Sequence, residues 1–250
     1  ETAVRLNGAA VEANLAAIAV GRALIAAPER VAGLVEPRPV VDPAAEPFEA
    51  RLAFLAADLE AYQSRALATD FRVRVERLRA AEARACGGDA ILTRTAMETL
   101  HRVTAIKDEW EVARHHADPG FAARIAETFE DVREVRFVLA PPLFAGIDPA
   151  TGRPRKTSFG PWLAPFLRLF SALRRVRGTM LDPFGHTDER KAERAMRDAF
   201  RADVERMAAI LDADGAAARM DLLVDLAQWP REAKGYGPIK DAGMERARAK

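Results

Sequence analysis

Helical periodicity is the feature that most restricts how this chain can fold. Beyond residue 47, apolar side chains recur at spacings of three and four residues, beginning with Phe48, Leu52, Leu55, Leu59 and Tyr62. That spacing places them on one face of an α-helix. The period continues until residues 87 and 88, where two glycines end it, and we predict an antiparallel hairpin with the helical segment that follows. The segment that follows carries Leu100, Val103, Ile106 and Trp110 and runs to His116.

A proline-rich stretch separates this region from a shorter helical one. Residues 9–26 also have helical spacing, with Val11, Leu15 and Ile18 on one face. Residues 28–47 then contain five prolines, which remove backbone donors and fix φ, so they do not suit a helix or a central strand. We therefore predict a linker over 28–47 and a separate helical domain over 47–250.

One segment has the pattern of a β-strand. Over residues 132–139, Val135, Phe137 and Leu139 alternate with other side chains, and β-branched residues are enriched. Turn-forming residues dominate positions 140–160, and helical spacing resumes near Pro161. The predicted fold is mainly α: a bundle-like set of helices with one short strand near 132–139 and a long loop over 140–160.

Composition excludes several kinds of site. Lysine and arginine total 38 against 37 acids, so no global charge favours a nucleic acid or an anionic membrane. The single cysteine, Cys86, cannot form an internal disulfide or hold an iron–sulfur cluster alone. The three serines, at positions 64, 158 and 171, do not lie in a nucleophile elbow. No apolar run is long enough to span a bilayer, and we expect a cytoplasmic location.

Histidines offer a weak case for a metal or proton-transfer site. His115, His116 and Asp118 could be imagined as metal ligands, but adjacent residues on a helix point about 100° apart. A histidine near the C-terminus of a helix is favoured by the helix dipole alone. His186 follows a glycine in a turn, and the sequence places no second histidine or carboxylate beside it. We interpret all of these residues as structural.

The segment 107–114 combines charge with an aromatic residue. On a helix, Lys107 would lie beside Glu111, and Trp110 beside Arg114. We interpret the segment mainly as a solvent-exposed, salt-bridged helix face with Trp110 half buried. The alternative is general acid–base chemistry, which needs a carboxylate with a perturbed pKa in a pocket. We take Lys107, Asp108, Glu109 and Arg114 as candidate interaction residues.

The strongest local charge pattern lies between Asp148 and Asp182. This stretch has no acid and seven basic residues, which are Arg153, Arg155, Lys156, Arg168, Arg174, Arg175 and Arg177. An acidic protein or an anionic substrate could dock there, although a solvated basic face balanced by acids elsewhere would have the same pattern. Arg153, Arg155, Lys156 and the neighbouring Trp162 are the candidate contacts.

Five blocks, read in order, resemble a known enzyme family. They are residues 6–14, 107–114, 139–143, 148–162 and 182–185, and the most specific are Thr151-Gly152-Arg153-Pro154-Arg155-Lys156, Phe159-Gly160-Pro161-Trp162 and the 107–114 block. Together they resemble the C-terminal region of the long, fused-chain indolepyruvate ferredoxin oxidoreductases, members of the 2-oxoacid:ferredoxin oxidoreductase family. The resemblance covers nearly the whole chain.

That resemblance implies a larger parent enzyme. Such enzymes decarboxylate an aryl 2-oxoacid on thiamine diphosphate with magnesium, pass electrons through 4Fe–4S clusters to ferredoxin, and transfer the acyl group to coenzyme A. The resemblance implies that residues 1–27 are the tail of a preceding catalytic domain and that 47–250 form a C-terminal auxiliary domain. The groups that bind those cofactors would lie upstream, and this chain would carry no catalytic residue.

We therefore expect a non-catalytic helical domain that packs on the catalytic domains of its own chain and helps ferredoxin or coenzyme A to dock. The alternative is a free-standing helical protein-interaction module without an enzymatic role. An enzyme with its own active site in this segment is the least favoured reading, because no cofactor motif is visible. Neither a nucleic acid nor a membrane is an expected partner.

Overall fold

The computed structural model describes residues 1–31, 46–88, 90–140, 146, 155–213, 216–233 and 243. Within these ranges the protein is mainly α-helical, which confirms the predicted fold class. The helices and strands are α1 (Thr2–Asn7), α2 (Val11–Ala26), α3 (Pro28–Val31), α4 (Phe48–Tyr62), α5 (Arg65–Cys86), α6 (Ile91–Thr104), α7 (Glu109–Ala117), α8 (Pro119–Thr128), β1 (Phe137–Leu139), β2 (Thr157–Phe159), α9 (Ala164–Ala172), α10 (Asp188–Leu211) and α11 (Met220–Leu226). Short 3₁₀ turns lie at Pro161–Leu163, Leu173–Val176, Ala216–Arg219 and Trp229–Glu232.

The chain divides into two compact units, Glu1–Pro47 and Phe48–Lys250. The first unit contains α1, α2 and α3, and the spacing that predicted a helix over 9–26 corresponds to α2. The first four residues of the predicted linker, Pro28–Val31, form one helical turn instead. A proline is tolerated there because the first N–H groups of a helix have no intrahelical acceptor. The rest of the predicted linker, 32–45, lies outside the described residues.

The second unit is built on a core of long helices. Helices α4, α5, α6 and α10 pack on one another, and α11 closes against α6. The apolar face that predicted α4 is buried, with Leu59 completely inaccessible, and Phe200 of α10 and Met97 of α6 fill the centre. Arg79, late in α5, reaches Glu49 at the start of α4, so these two helices run antiparallel.

The helical periods are interrupted where side chains cap new helices. The apolar spacing runs from 48 towards 87 without a break, but the helix ends at Tyr62 and restarts after Ser64, whose hydroxyl accepts a hydrogen bond from Leu67 N–H at 3.3 Å. The segment from Leu100 to His116 is likewise two helices, with Asp108 capping α7. Lys107 therefore lies outside the helix, and the predicted helical pairing of Lys107 with Glu111 is wrong. A capping side chain offers the backbone an acceptor that a continuous helix would not use.

A carboxylate from one helix caps the start of another inside the core. Glu82 of α5 is buried and accepts hydrogen bonds from Leu92 N–H at 2.9 Å and from Thr93 N–H at 2.8 Å. The Thr93 hydroxyl donates to the same carboxylate at 2.5 Å. The Leu92 and Thr93 N–H groups lie in the first turn of α6, where backbone donors have no intrahelical acceptor. The hydrogen bonds to Glu82 therefore fix where α6 begins relative to α5. Gly87, with φ of 54°, ends α5 before that point.

The strand prediction needs correction in two respects. The strand is Phe137–Leu139, shorter than the 132–139 predicted, and a second strand, Thr157–Phe159, lies within the predicted 140–160 loop. The two pair antiparallel, with Phe137 opposite Phe159 and Leu139 opposite Thr157. A lone strand leaves its backbone donors and acceptors unpaired, so the partner was required although its sequence has a weak pattern.

A second, smaller core lies beside this hairpin. Ala113 of α7, Phe137 of β1 and Leu167 of α9 are buried together. Helix α9 packs along α7, and the Phe170 ring lies 5.6 Å from the Trp110 ring between centroids. Helix α9 therefore has a buried face that belongs to this second core.

Removal of the buried cap tests the role of Glu82. In Glu82→Ala, two buried N–H groups of α6 lose their acceptor, and we expect the free energy of unfolding to fall by about 1–3 kcal/mol for each group. Urea denaturation followed by circular dichroism measures the change. Glu76→Ala, at an exposed position of the same helix, is the matched control. Equal losses in the two variants would contradict the capping role.

Candidate interaction site

A buried ion pair joins three separate parts of the second unit. The Arg177 guanidinium donates to both oxygens of Asp108, from Nε at 2.6 Å and from Nη2 at 2.8 Å. It also donates to the carbonyl oxygen of Tyr62 and lies over the Tyr62 ring, 3.6 Å from its centroid. Arg177 is 8% exposed and Asp108 4%. The pair thus links the end of α4, the start of α7 and the turn that follows α9.

Asp108 has two roles at once. Its Oδ1 accepts the N–H of Glu111 at 2.8 Å as the N-cap of α7, while both oxygens bind Arg177. Burial raises the pKa of the Tyr62 hydroxyl above its ordinary value, and the nearby Asp108 carboxylate raises it further. Asp108, selected from the sequence as an interaction residue, is therefore an internal structural group.

A second buried carboxylate organises the turn before α10. Asp182 accepts hydrogen bonds from Gly178 N–H at 2.7 Å, Phe184 N–H at 3.1 Å and the Trp110 indole N–H at 3.1 Å. A Cβ at Gly185 would lie 2.6 Å from Asp182 Oδ2, so only glycine fits there. Trp110 is buried, not half buried as the sequence predicted, because its ring packs between Phe170 and Phe184.

The hydrogen bonds to Asp182 outweigh its burial. Burial by itself would raise the pKa of the Asp182 carboxyl, but the Gly178 N–H, Trp110 and Phe184 bonds favour the ionised form. The pKa of Asp182 therefore lies below its ordinary value. Such a group contributes to folding stability as a carboxylate.

Arg114 connects α7 to α4 through a chain of ion pairs. It binds Glu111 through Nε at 2.8 Å and Nη2 at 2.6 Å, and Nη2 also lies 3.1 Å from Asp58 Oδ1. His101 Nε2 lies 3.0 Å from the other oxygen of Asp58. The His101 bond and the two charges lower the pKa of Asp58 despite partial burial. Arg114 is half buried and contributes a tie between helices.

Glu109 and Lys107 lie at the edge of this network. Glu109 Oε1 is 3.8 Å from Arg190, and its other oxygen is buried without a hydrogen bond. Burial is the main cause that raises the pKa of the Glu109 carboxyl. The Lys107 carbonyl accepts a hydrogen bond from Arg190 at 3.4 Å. Of the four residues selected in 107–114, Glu109 alone has a partly accessible carboxyl with a raised pKa. The nearby Asp108 and Glu189 carboxylates add to that rise, but Asp108 is bound by Arg177.

A cavity of about 170 Å³ opens beside the ion pair. Its wall includes Arg177, Asp182, Arg190, Glu193, Arg194 and Arg197. Its carboxylates already have partners, because Asp182 binds backbone N–H groups and Glu193 binds Arg190 at 2.5 Å. Arg194 donates to the Gly185 carbonyl at 2.6 Å. Most of the charged groups on this wall therefore bind one another or the turn, and Leu67, Val103, Ile106 and Phe184 line other parts of the cavity.

His115 and His116 contact neighbouring side chains of the fold. His115 Nε2 lies 2.9 Å from Glu111, and the His116 ring meets Phe121 and Phe137 edge to face. Asp118 caps α8 by accepting Gly120 N–H at 2.7 Å. In the described ranges, no three His, Cys, Asp or Glu residues are arranged to hold a metal ion. None of the helices in these ranges combines the length and apolar composition of a membrane crossing.

The basic run divides into internal and exposed residues. Arg177 is buried, and Arg174 is half buried and donates to the Ser171 carbonyl at 3.1 Å. Arg155, Lys156, Arg168 and Arg175 are exposed. Trp162 is 59% exposed, and Arg153 lies outside the described residues. Arg155, Lys156 and Trp162 are thus the selected residues that can meet a partner.

Sequence patterns missed the residues that complete this network. Helical spacing identifies Tyr62 only as an apolar helix position and gives no signal for Asp58 or His101, because the partners of these residues lie 43 to 115 residues away along the chain. The absence of acids between Asp148 and Asp182 is the one sequence feature that points to this network. Any arginine of that stretch that becomes buried must pair with an acid from another part of the chain.

Comparison with known proteins identifies a family but not a relative of defined activity. The model of a protein family described as a family of unknown function, DUF6537, matches residues 48–250. No curated protein and no solved structure matches the chain significantly.

The buried pair predicts a strong coupling between Asp108 and Arg177. Asp108→Asn keeps the shape of the helix cap but leaves a buried guanidinium without a counter-charge, so the free energy of unfolding should fall by about 3–5 kcal/mol. Arg177→Met combined with Asp108→Asn should cost less than the sum of the single variants. Urea denaturation measures the cycle, and strictly additive losses would contradict the coupling. Asp212→Asn, at the exposed Arg84 pair, should have little effect.

Asp182 predicts a pH-dependent loss of stability. Its folded-state pKa lies below the unfolded value of about 3.9, so its contribution is complete above that pH and is lost as the pH falls through the folded-state pKa. Asp182→Asn should therefore be less stable than the parent near pH 7, with a gap that narrows below about pH 4. Thermal unfolding between pH 2.5 and 7 measures the gap. The exposed Asp221→Asn is the control, and a gap independent of pH would disprove the role of the charge.

Proposed function

We propose that this chain, which belongs to the DUF6537 family, is the non-catalytic helical domain of a 2-oxoacid:ferredoxin oxidoreductase that acts on an aryl substrate such as indolepyruvate. In this proposal it packs on the catalytic domains of the same chain and helps ferredoxin or coenzyme A to dock. The cytoplasm is the proposed location. The assignment rests on the resemblance of five sequence blocks to that enzyme family.

The observation that best supports the proposal is that distant blocks of the resemblance meet in space. The Trp110 indole of the 107–114 block donates to Asp182 of the 182–185 block. Leu139 of the 139–143 block pairs with Thr157 of the 148–162 block across the hairpin. Residues that resemble one family at scattered positions are expected to meet if they serve a common fold. A chance similarity of separate segments would not require these contacts.

The cofactors of such an enzyme belong, in this proposal, to the catalytic domains. A 4Fe–4S cluster takes four cysteine thiolates, and this chain has one cysteine. The described residues offer no three-ligand set for a metal ion. A single cysteine does not fit a 4Fe–4S cluster, and we assign no catalytic step to the described residues.

The exposed basic residues are the proposed contribution to docking. Arg155 and Lys156 are accessible on the approach to β2. In this proposal the partner is either an acidic ferredoxin or coenzyme A, whose phosphates are anionic. Exposed charges of this kind mainly increase the association rate and lose their effect as salt rises.

Charge reversal tests that contribution in the full oxidoreductase chain. For Arg155→Glu/Lys156→Glu we expect the KM for ferredoxin or for coenzyme A to rise on the order of tenfold at low ionic strength, with kcat nearly unchanged. Indolepyruvate-dependent ferredoxin reduction measures both. Arg65→Glu/Arg102→Glu makes the same change in net charge at exposed positions of α5 and α6.

The outcomes separate the parts of the proposal. Unchanged kinetics for both substrates would disprove the docking role. A full chain, loaded with its cofactors, that reduces no ferredoxin with indolepyruvate or phenylpyruvate would overturn the oxidoreductase assignment. The free-standing interaction module would then be the better reading, because it too accounts for accessible apolar side chains such as Trp162.

A further inference from the structure

Helix α9 and the turns that flank it are mostly apolar, but one of their faces is uncovered. In residues 161–173 the only polar side chains are Arg168 and Ser171. Leu167 and Phe170 pack into the second core. On the other face, Trp162, Phe166, Leu169 and Leu173 are 59%, 52%, 56% and 45% exposed. We call these four residues the α9 stripe.

The spacing of the α9 stripe is that of a helix that fits into a groove. Its members are four, three and four residues apart, so they form one row about 17 Å long. Binding helices use anchors at this spacing. Contiguous exposed apolar side chains of this size mark an interaction surface, so the α9 stripe is an incomplete interface.

The aromatic part of the α9 stripe is already ordered. Trp162 meets Phe159 and Phe166 edge to face, each at 6.0 Å between ring centroids. Its ring also lies against Gly160, where an added Cβ would be 3.2 Å from Trp162 Cδ1. Aromatic anchors held in place before binding reduce the entropy lost on association.

Charge determines which partner fits. The exposed Arg168 immediately precedes Leu169 and so points about 100° to the side of the α9 stripe. The exposed Arg175 follows the end of the stripe, and no acid occurs between Asp148 and Asp182. Two copies that met through this face would bring these arginines against one another, because a two-fold interface places the same patch on itself. The partner surface must instead be apolar with carboxylates at its rim.

We propose that the α9 stripe is the docking surface for the catalytic part of the same oxidoreductase chain, which offers it an apolar groove with an acidic rim. The identity of this occupant rests on the proposed function. A lipid surface fits less well, because the row is short and only two exposed arginines flank it, whereas anionic membranes are bound by larger basic clusters.

Photocrosslinking in the full chain tests the proposal. With p-benzoylphenylalanine at position 166, we expect one dominant crosslink to a peptide of the catalytic part, located by mass spectrometry on an apolar surface bordered by Asp or Glu. The same probe at Phe54, which is 60% exposed on α4, is the control and should give no such product. Leu169→Asp, or Arg168→Glu/Arg175→Glu, should lower the yield at position 166 about tenfold. Circular dichroism confirms that each variant is folded.

Other outcomes would overturn it in distinguishable ways. A crosslink from position 166 to α9 of a second copy would disprove the acidic-groove occupant. The domain could instead co-sediment with phosphatidylglycerol vesicles, without a protein crosslink, and lose this binding in Leu169→Asp. That result would identify a membrane, not a protein groove, as the occupant of the α9 stripe. An active oxidoreductase without a crosslink at position 166 would reject the docking surface and leave the proposed function standing. A crosslink only to a separately encoded protein would reject the occupant, whereas the proposed function is rejected only if the loaded full chain also fails to reduce ferredoxin with indolepyruvate or phenylpyruvate.

Discussion

The contact between Arg177 and Asp108 is the interaction on which the arrangement of the second unit depends. One guanidinium binds a carboxylate in two places, donates to the Tyr62 carbonyl and covers the Tyr62 ring. Since all three groups are buried, the cost of removing charge from water is offset only while every partner is present. The pair therefore couples the end of α4 in the main helical core, at Tyr62, to the smaller core of α7 and α9. Whatever α9 presents to a partner is positioned through this contact.

Asp182 extends the same coupling to α10. Its carboxylate collects donors from Gly178, Phe184 and the Trp110 side chain, so it holds the turn that begins directly after Arg177. Each buried acid of the network thus binds donors that are fixed by the backbone or by an aromatic ring. Such a network specifies one geometry, because a shift of any member leaves a buried polar group unpaired.

Sequence patterns predicted this fold where the controlling physics is local. Helical spacing identified the buried faces of α4 and α6 because burial follows the 3.6-residue period. Local patterns failed at Ser64 and Asp108, where a capping side chain ends a period that would otherwise continue. They also missed β2, because Thr157 and Ser158 show little strand pattern and become a strand only by pairing with β1. Arg177 was read as part of an accessible run because its acid lies 69 residues away.

The same comparison explains why the docking surface that we propose differs from the one that charge alone suggested. Of the seven basic residues, Arg177 is buried and binds Asp108, and Arg174 donates to the Ser171 carbonyl. Arg168 and Arg175, by contrast, are exposed beside an apolar row. Burial of that row supplies most of the free energy of association, and exposed arginines mainly select the partner and the approach. An acidic carrier without an apolar groove would therefore satisfy the arginines and leave the α9 stripe in water. The proposed partner must both pair with the arginines and bury the α9 stripe. A neighbouring domain of the same chain achieves this more readily than a transient electron carrier.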